Sequence, residues 1–202
     1  MADFDTLLFN IDIDAGLTPH KGSLLVAEPF LREQYFHHSV IVLVEYEPQG
    51  AAMGVVLNNR IPSCSLQELL PSVSATDPIP VYCGGPMSGE RLYFIHTLGD
   101  LIPESQEIMP GLYIGGDFDT VISIVNDNYP VDGHLRFFLG YSGWEKEQLN
   151  EELFRNVWAL ADVQSVDGLL TGEDDAYWHR IVRSMGEDYR GWLYHPREPY
   201  AN

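Results

Sequence analysis

The sequence predicts one α+β domain, and three observations carry that expectation. Residues 39–46 (Ser-Val-Ile-Val-Leu-Val-Glu-Tyr) hold five consecutive apolar, mostly β-branched positions, the pattern of a strand covered on both faces and central in its sheet. Strand patterns dominate the first half of the chain, whereas three helical patterns fall in the second. No regular β-α-β period recurs, which disfavours a doubly wound parallel sheet.

In chain order, residues 23–28 (Ser-Leu-Leu-Val-Ala-Glu) read as a buried strand ended by Pro29, which has no amide to offer a ladder. Residues 30–36 read as a short helical turn. The turn 47–50 joins the strand 39–46 to a second strand at 53–58, making an antiparallel hairpin. Ser65 and Glu68 have capping-box spacing, which predicts a short helix to about Leu70, stopped by Pro71. Brief strands follow at 81–83, 91–97 and 112–115. Asp117 is placed to cap a helix to about Asn126 with Phe118, Val121, Ile122 and Val125 inward.

Residues 134–154 read as strand, tight glycine turn and helix. In that reading Ser142 and Glu145 form a second capping box, and Glu147, Glu151 and Glu152 face water. A strand at 157–163 follows, and a last helix capped by Thr171 buries Trp178, Ile181, Val182 and Met185. Residues 3–13 alternate weakly, as a strand or ordered arm would, and the aromatic, proline-rich tail from Asp188 is placed to pack across the surface.

Composition narrows function. Eleven Lys and Arg stand against thirty Asp and Glu, a net charge of −19, and residues 1–144 hold only Lys21, Arg32, Arg60, Arg91 and Arg136 as cations. No surface tracks phosphates, so direct nucleic-acid binding is disfavoured. The acidic start, with Asp3, Asp5, Asp12 and Asp14, lacks the basic and apolar regions of an export signal, and no apolar run is long enough for a membrane span. A cytoplasmic protein with reduced Cys64 and Cys83 is expected.

Catalytic signatures are sparse. Gly140-Tyr141-Ser142-Gly143-Trp144 lacks the glycine two places after the serine that a nucleophile elbow needs. Gly84-Gly85-Pro86 and Gly115-Gly116 do not continue as phosphate loops, so turns are expected there. His37 and His38, if extended, point to opposite faces, and residues 173–175 with His179 read as an exposed helix start; no metal and no cofactor are expected. His96 is the first histidine to test for proton transfer, with Asn58, Cys83 and Ser39 as neighbours if the strands converge, against a structural role for the same ring. Gly84, Gly85, Gly115 and Gly116 are the candidate ligand-binding glycines.

In their order and spacing, residues 22–29 (Gly-Ser-Leu-Leu-Val-Ala-Glu-Pro), Phe36 with 39–41, residues 54–58 (Gly-Val-Val-Leu-Asn), Gly84-Gly85-Pro86, His96, Gly115-Gly116 and 140–144 with Gln148, Leu149 and Glu152 resemble the YqgE/AlgH family of bacterial proteins. The resemblance spans about residues 20–190. It implies a mixed, strongly bent or barrel-like sheet flanked by helices, in a domain over 22–202 preceded by an acidic arm at 1–21. It implies no agreed activity; the family is labelled a transcriptional regulator through an indirect association with alginate control. Three departures stand out. Val44-Glu45-Tyr46 replaces the Cys-Glu-His of many relatives, Asn59-Arg60-Ile61-Pro62 lengthens the usual run to proline, and the acidic arm is an addition.

Three functional readings follow. The preferred one is a regulatory or interaction module working through protein partners, in an oligomeric state the sequence does not specify. The second is a hydrolytic or redox enzyme with a cleft at Asn58, residues 84–86 and His96. The third is a small-ligand or nucleotide sensor at the glycine turns.

Overall fold

A computed structural model describes residues 17–194, so most of the acidic arm and the final tail residues lie outside the described part. Ten strands follow in chain order: β1 Leu24–Ala27, β2 Val40–Tyr46, β3 Ala52–Val56, β4 Arg60–Ser65, β5 Pro80–Cys83, β6 Met87–His96, β7 Gln106–Met109, β8 Leu112–Ile114, β9 Leu135–Trp144 and β10 Trp158–Ala161. Four α-helices accompany them: α1 Leu66–Leu69, α2 Phe118–Asn126, α3 Gln148–Phe154 and α4 Asp174–Ser184, with a 3-10 helix at Glu187–Tyr194. The strand order is β10-β1-β2-β3-β9-β6-β8-β7, with β4 and β5 added beside β9. Only β5 against β9 is parallel among the described ladders, so the sheet is mixed but overwhelmingly antiparallel. The path ends at β10 and β7 without a ladder between them, which corrects the strongly bent or barrel-like expectation to an open sheet.

β2 behaves as its apolar run demands. Val40, Val42 and Val44 join one core cluster with β1, β9 and α4, while Ile41 and Leu43 join another on the opposite face with Trp144, Leu149 and Trp158. Successive side chains alternate faces, and both faces are dry. A third cluster holds α2, through Val121 and Val125, against Phe94 and Phe137.

β9 links the two limbs of the sheet. One edge lies along β6, while the other pairs first with β5 through residues 137–139 and then with β3 through residues 142–144. The change falls at Gly140, whose φ of +72° takes the chain through a kink that a β-carbon would oppose. The tight turn expected at 140–144 is therefore strand.

This moves the next helix. Its N-cap is Glu147, not Ser142, so the second capping box does not exist. Glu152 is not merely solvated either: its Oε2 accepts from the indole N–H of Trp144 at 2.8 Å and of Trp158 at 2.7 Å. The capping box at Ser65 and Glu68 is present, and Asp117 caps α2 by accepting from the Thr120 amide at 2.8 Å. Phe118 is exposed instead of inward, and α4 begins after Glu173, not Thr171. Residues 30–36 form hydrogen-bonded turns without a helix.

Candidate functional site

His37, His38 and Asp175 come together where the turn before β2 meets the first turn of α4, with Asn58 between the two segments. The Asn58 side chain accepts from the Val40 amide at 2.9 Å and donates to the main-chain oxygens of His38 at 2.9 Å and Asp174 at 3.0 Å. Its own carbonyl accepts from the Asp174 amide at 2.7 Å. His38 and Asp174, on either side of this amide, have φ of 48° and 50°, a left-handed geometry that costs energy outside glycine and persists where surrounding contacts impose it.

The positive φ at His38 has a chemical result. The histidine pair is in a turn, not a strand, and the rings of His37 and His38 stack at 4.0 Å instead of facing apart. Buried His38 places Nδ1 2.9 Å from Asp175 Oδ1 and stacks its other face on Trp178 at 4.3 Å. His37 is exposed, with Nδ1 3.0 Å from the Leu31 oxygen, and His179 donates from Nδ1 to the Asp175 main-chain oxygen at 2.7 Å. Burial pushes the Asp175 carboxyl upward, but the His38 hydrogen bond and the imidazoles of His38, His37 and His179 outweigh it, leaving the group below the ordinary aspartate range. One carboxylate beside three imidazoles can exchange protons or hold a cation. The sequence hides this convergence, because Asp175 lies 137 residues from His38.

A second feature is a groove of about 720 Å³ where β2 and β9 end and β3 begins. Its charged lining residues are Glu45, Glu47 and Glu145 with one cation, Lys21, and Tyr46, Met53 and Met87 are among its larger side chains. Met87 is among the more exposed large apolar side chains of the described residues.

Of the other residues singled out by sequence, Ser39 adjoins Asn58, whose side chain bonds the main chain of His38 and Val40 on either side of it, while His96 and Cys83 lie on opposite edges of β9. His96 is 0% exposed; its Nε2 lies 2.9 Å from the Gly115 oxygen and 3.1 Å from Ser105 Oγ, and its Nδ1 accepts from the Leu98 amide at 3.1 Å. Burial pushes its pKa down, so the ring is held neutral. His96 pairs with Leu135 and Cys83 with Leu139, four residues apart along β9, or about 13 Å of strand. Burial raises the Cys83 thiol, whose Sγ–H points to the Gly85 oxygen at 3.8 Å, the opposite of an activated nucleophile. Ser39 is buried, and its hydroxyl has no hydrogen-bond partner among the described residues.

The candidate glycines have main-chain reasons. A β-carbon on Gly84 would lie 2.3 Å from the Gly140 oxygen, and one on Gly85 would lie 2.3 Å from the Tyr141 main chain. Gly84 lies where β9 changes neighbours: its amide donates to Leu139 and its oxygen accepts from Val56. Ser142 Oγ donates to the same oxygen at 3.2 Å. Gly115 and Gly116 carry φ of 66° and 122° at the entry to α2, and Gly115 supplies the acceptor for His96. Sequence reasoning missed Arg136, which is buried in β9. It donates to the oxygens of Leu57, Leu170 and Gly172 and lies over the Tyr82 ring at 4.1 Å.

Comparison with known proteins accords with this architecture. The chain is 41% identical over 185 residues to a UPF0301 protein of Parabacteroides distasonis, covering 91% of this chain and 92% of that protein. It is 34% identical over 200 residues to a UPF0301 protein of Bacteroides thetaiotaomicron, covering 99% and 100%. Among solved structures, the solution structure of the AlgH protein from Pseudomonas aeruginosa superposes with a TM-score of 0.65 at 25% identity, covering 89% of this chain and 97% of that one. Protein DIP2367 from Corynebacterium diphtheriae superposes with a TM-score of 0.69 at 23% identity, covering 89% and 93%, a likeness of fold. A family model described as AlgH-like (DUF179) matches residues 24–190, and with these relatives it establishes that the chain belongs to the AlgH-like, UPF0301 family.

Proposed function

We propose that the chain is a cytoplasmic regulatory or interaction module that binds a protein partner through a cationic segment bearing apolar side chains, and that it does not read duplex nucleic acid directly. The observation that carries this reading is the groove whose lining sets Glu45, Glu47 and Glu145 against the single cation Lys21, beside Tyr46, Met53 and Met87, on a chain of net charge −19. These carboxylates steer a basic segment toward the groove, and burial of Tyr46, Met53 and Met87 supplies the apolar contribution. Among the described residues no helix is long and apolar enough to cross a membrane. Both ring nitrogens of His96 are engaged with groups of the fold, which favours a structural role for that ring over proton transfer.

The test is a fluorescence titration of the protein with a short amphipathic peptide rich in Lys, Leu and Phe, and with a Glu-containing counterpart. Binding should be confined to the basic peptide, weaken as salt rises, and fall in a Glu45→Gln, Glu47→Gln, Glu145→Gln triple variant. Binding to the basic peptide unaffected by the triple variant, or salt-sensitive binding of duplex DNA near physiological ionic strength, would contradict the proposal.

A further inference from the structure

We infer that His37, His38 and Asp175 form a binding site for one divalent transition-metal ion of the zinc class, tying the turn before β2 to the first turn of α4. The inference stands apart from the groove and does not depend on it. One ligand atom from each of the three residues lies within 4.8 Å of the other two. Two imidazoles and one carboxylate are a donor set that zinc, copper, nickel or cobalt favours, whereas magnesium and calcium require mostly oxygen ligands. With metal bonds of about 2.1 Å at tetrahedral angles, neighbouring ligand atoms stand about 3.4 Å apart. His38 Nδ1 and Asp175 Oδ1, now hydrogen-bonded at 2.9 Å, need to separate by about half an ångström, and the proton between them is released to solvent as the metal takes its place.

Burial divides the labour among the three groups. His38 is 3% exposed and wedged between the His37 and Trp178 rings, so it supplies a fixed donor. Asp175 is half exposed and anchored by the start of α4. His37 is exposed and carries the adjustment. A metal lies in the plane of each imidazole that binds it, and the stacked rings, only 21° from parallel, direct their lone pairs alongside one another. Binding therefore turns the His37 ring out of the stack, at the cost of its exposed contact with the Leu31 oxygen. Three protein ligands leave a fourth position to water, the arrangement of an open site.

The experiment uses the full chain without an affinity tag, stripped with a chelator and titrated with zinc chloride by calorimetry at neutral pH. One ion should bind per chain, and excess magnesium should not compete. His37→Phe keeps a ring on the stack but removes its lone pair, and at an exposed position it leaves the fold intact; it should weaken zinc binding by about tenfold or more. Asp175→Asn should do the same. In the unmodified chain, zinc should move the side-chain nitrogen resonances of His37 and His38 and leave those of His96 in place. Absence of binding at millimolar zinc, or wild-type affinity in a folded His37→Phe protein, would overturn the inference.

Discussion

His96 and His38 are both buried histidines, yet their surroundings are of opposite kinds. His96 is met by a main-chain oxygen, a main-chain amide and a serine hydroxyl, all uncharged, and burial keeps it neutral. His38 is met by a carboxylate at 2.9 Å, with His37 on one face and exposed solvent one residue away. Burial alone does not separate a structural histidine from a reactive one; the charge of the partner and the exposure of its neighbours do. The same contrast extends outward. Around β9, polar side chains such as Arg136 and Ser142 complete the main chain, and Asn58 does the same at the joint of β2 and α4, but there His38 and Asp175 also meet side chain to side chain.

Three perturbations sharpen this contrast, beginning with the largest. Arg136→Leu leaves the oxygens of Leu57, Leu170 and Gly172 without their donor, and should cost about 3–5 kcal/mol in urea unfolding. A loss well under 1 kcal/mol would mean that water replaces the guanidinium and that the β9 region is not held by its polar side chains. Ser142→Ala removes one donor to Gly84, which keeps its bond from the Val56 amide, so the expected loss is about 1 kcal/mol. The serine is a strand residue that secures the exchange of neighbours along β9, and its loss should leave peptide binding at the groove unchanged.

The smallest effect is a difference in pH windows. The folded pKa of His96 lies below the unfolded value near 6.5, so the unfolded chain takes up its proton first. Its stability contribution is present above about pH 6.5 and declines as pH falls from there toward the lower folded value. Asp175 has a folded pKa below 3.8, so its contribution persists to lower pH and is lost as pH falls through that value. Urea midpoints measured across pH should therefore decline in two windows, with His96→Gln flattening the upper one and Asp175→Asn the lower.

The sequence is most legible where burial and period agree. β2 could be placed within a residue because its β-branched run has one physical explanation, and Asp117 with α2 followed from capping chemistry. β4 was illegible: Arg60–Ser65 contains a proline and no buried residue, and it is strand because β5 lies beside it. β7, four residues with one fully buried, gave too short a pattern to register. Residues 140–145 misled because glycines and a serine three places before a glutamate satisfy the local grammar of a turn and cap. Pairing with both β3 and β6 overrides that grammar. The joint of His37, His38 and Asp175 could not be read at all, since it needs a left-handed residue at His38 and a partner brought from the far end of the chain. Asn58, singled out as a possible catalytic neighbour, does lie at that joint, but as the amide that holds its two sides together.

The contrast between the two histidines can be measured in one sample by side-chain nitrogen NMR across pH, without and then with zinc. His96 should titrate below 6.5 and ignore the metal, while the His37 and His38 resonances shift together as zinc is added. Titration of His96 near 6.5, or zinc that leaves His37 and His38 unmoved, would contradict the account.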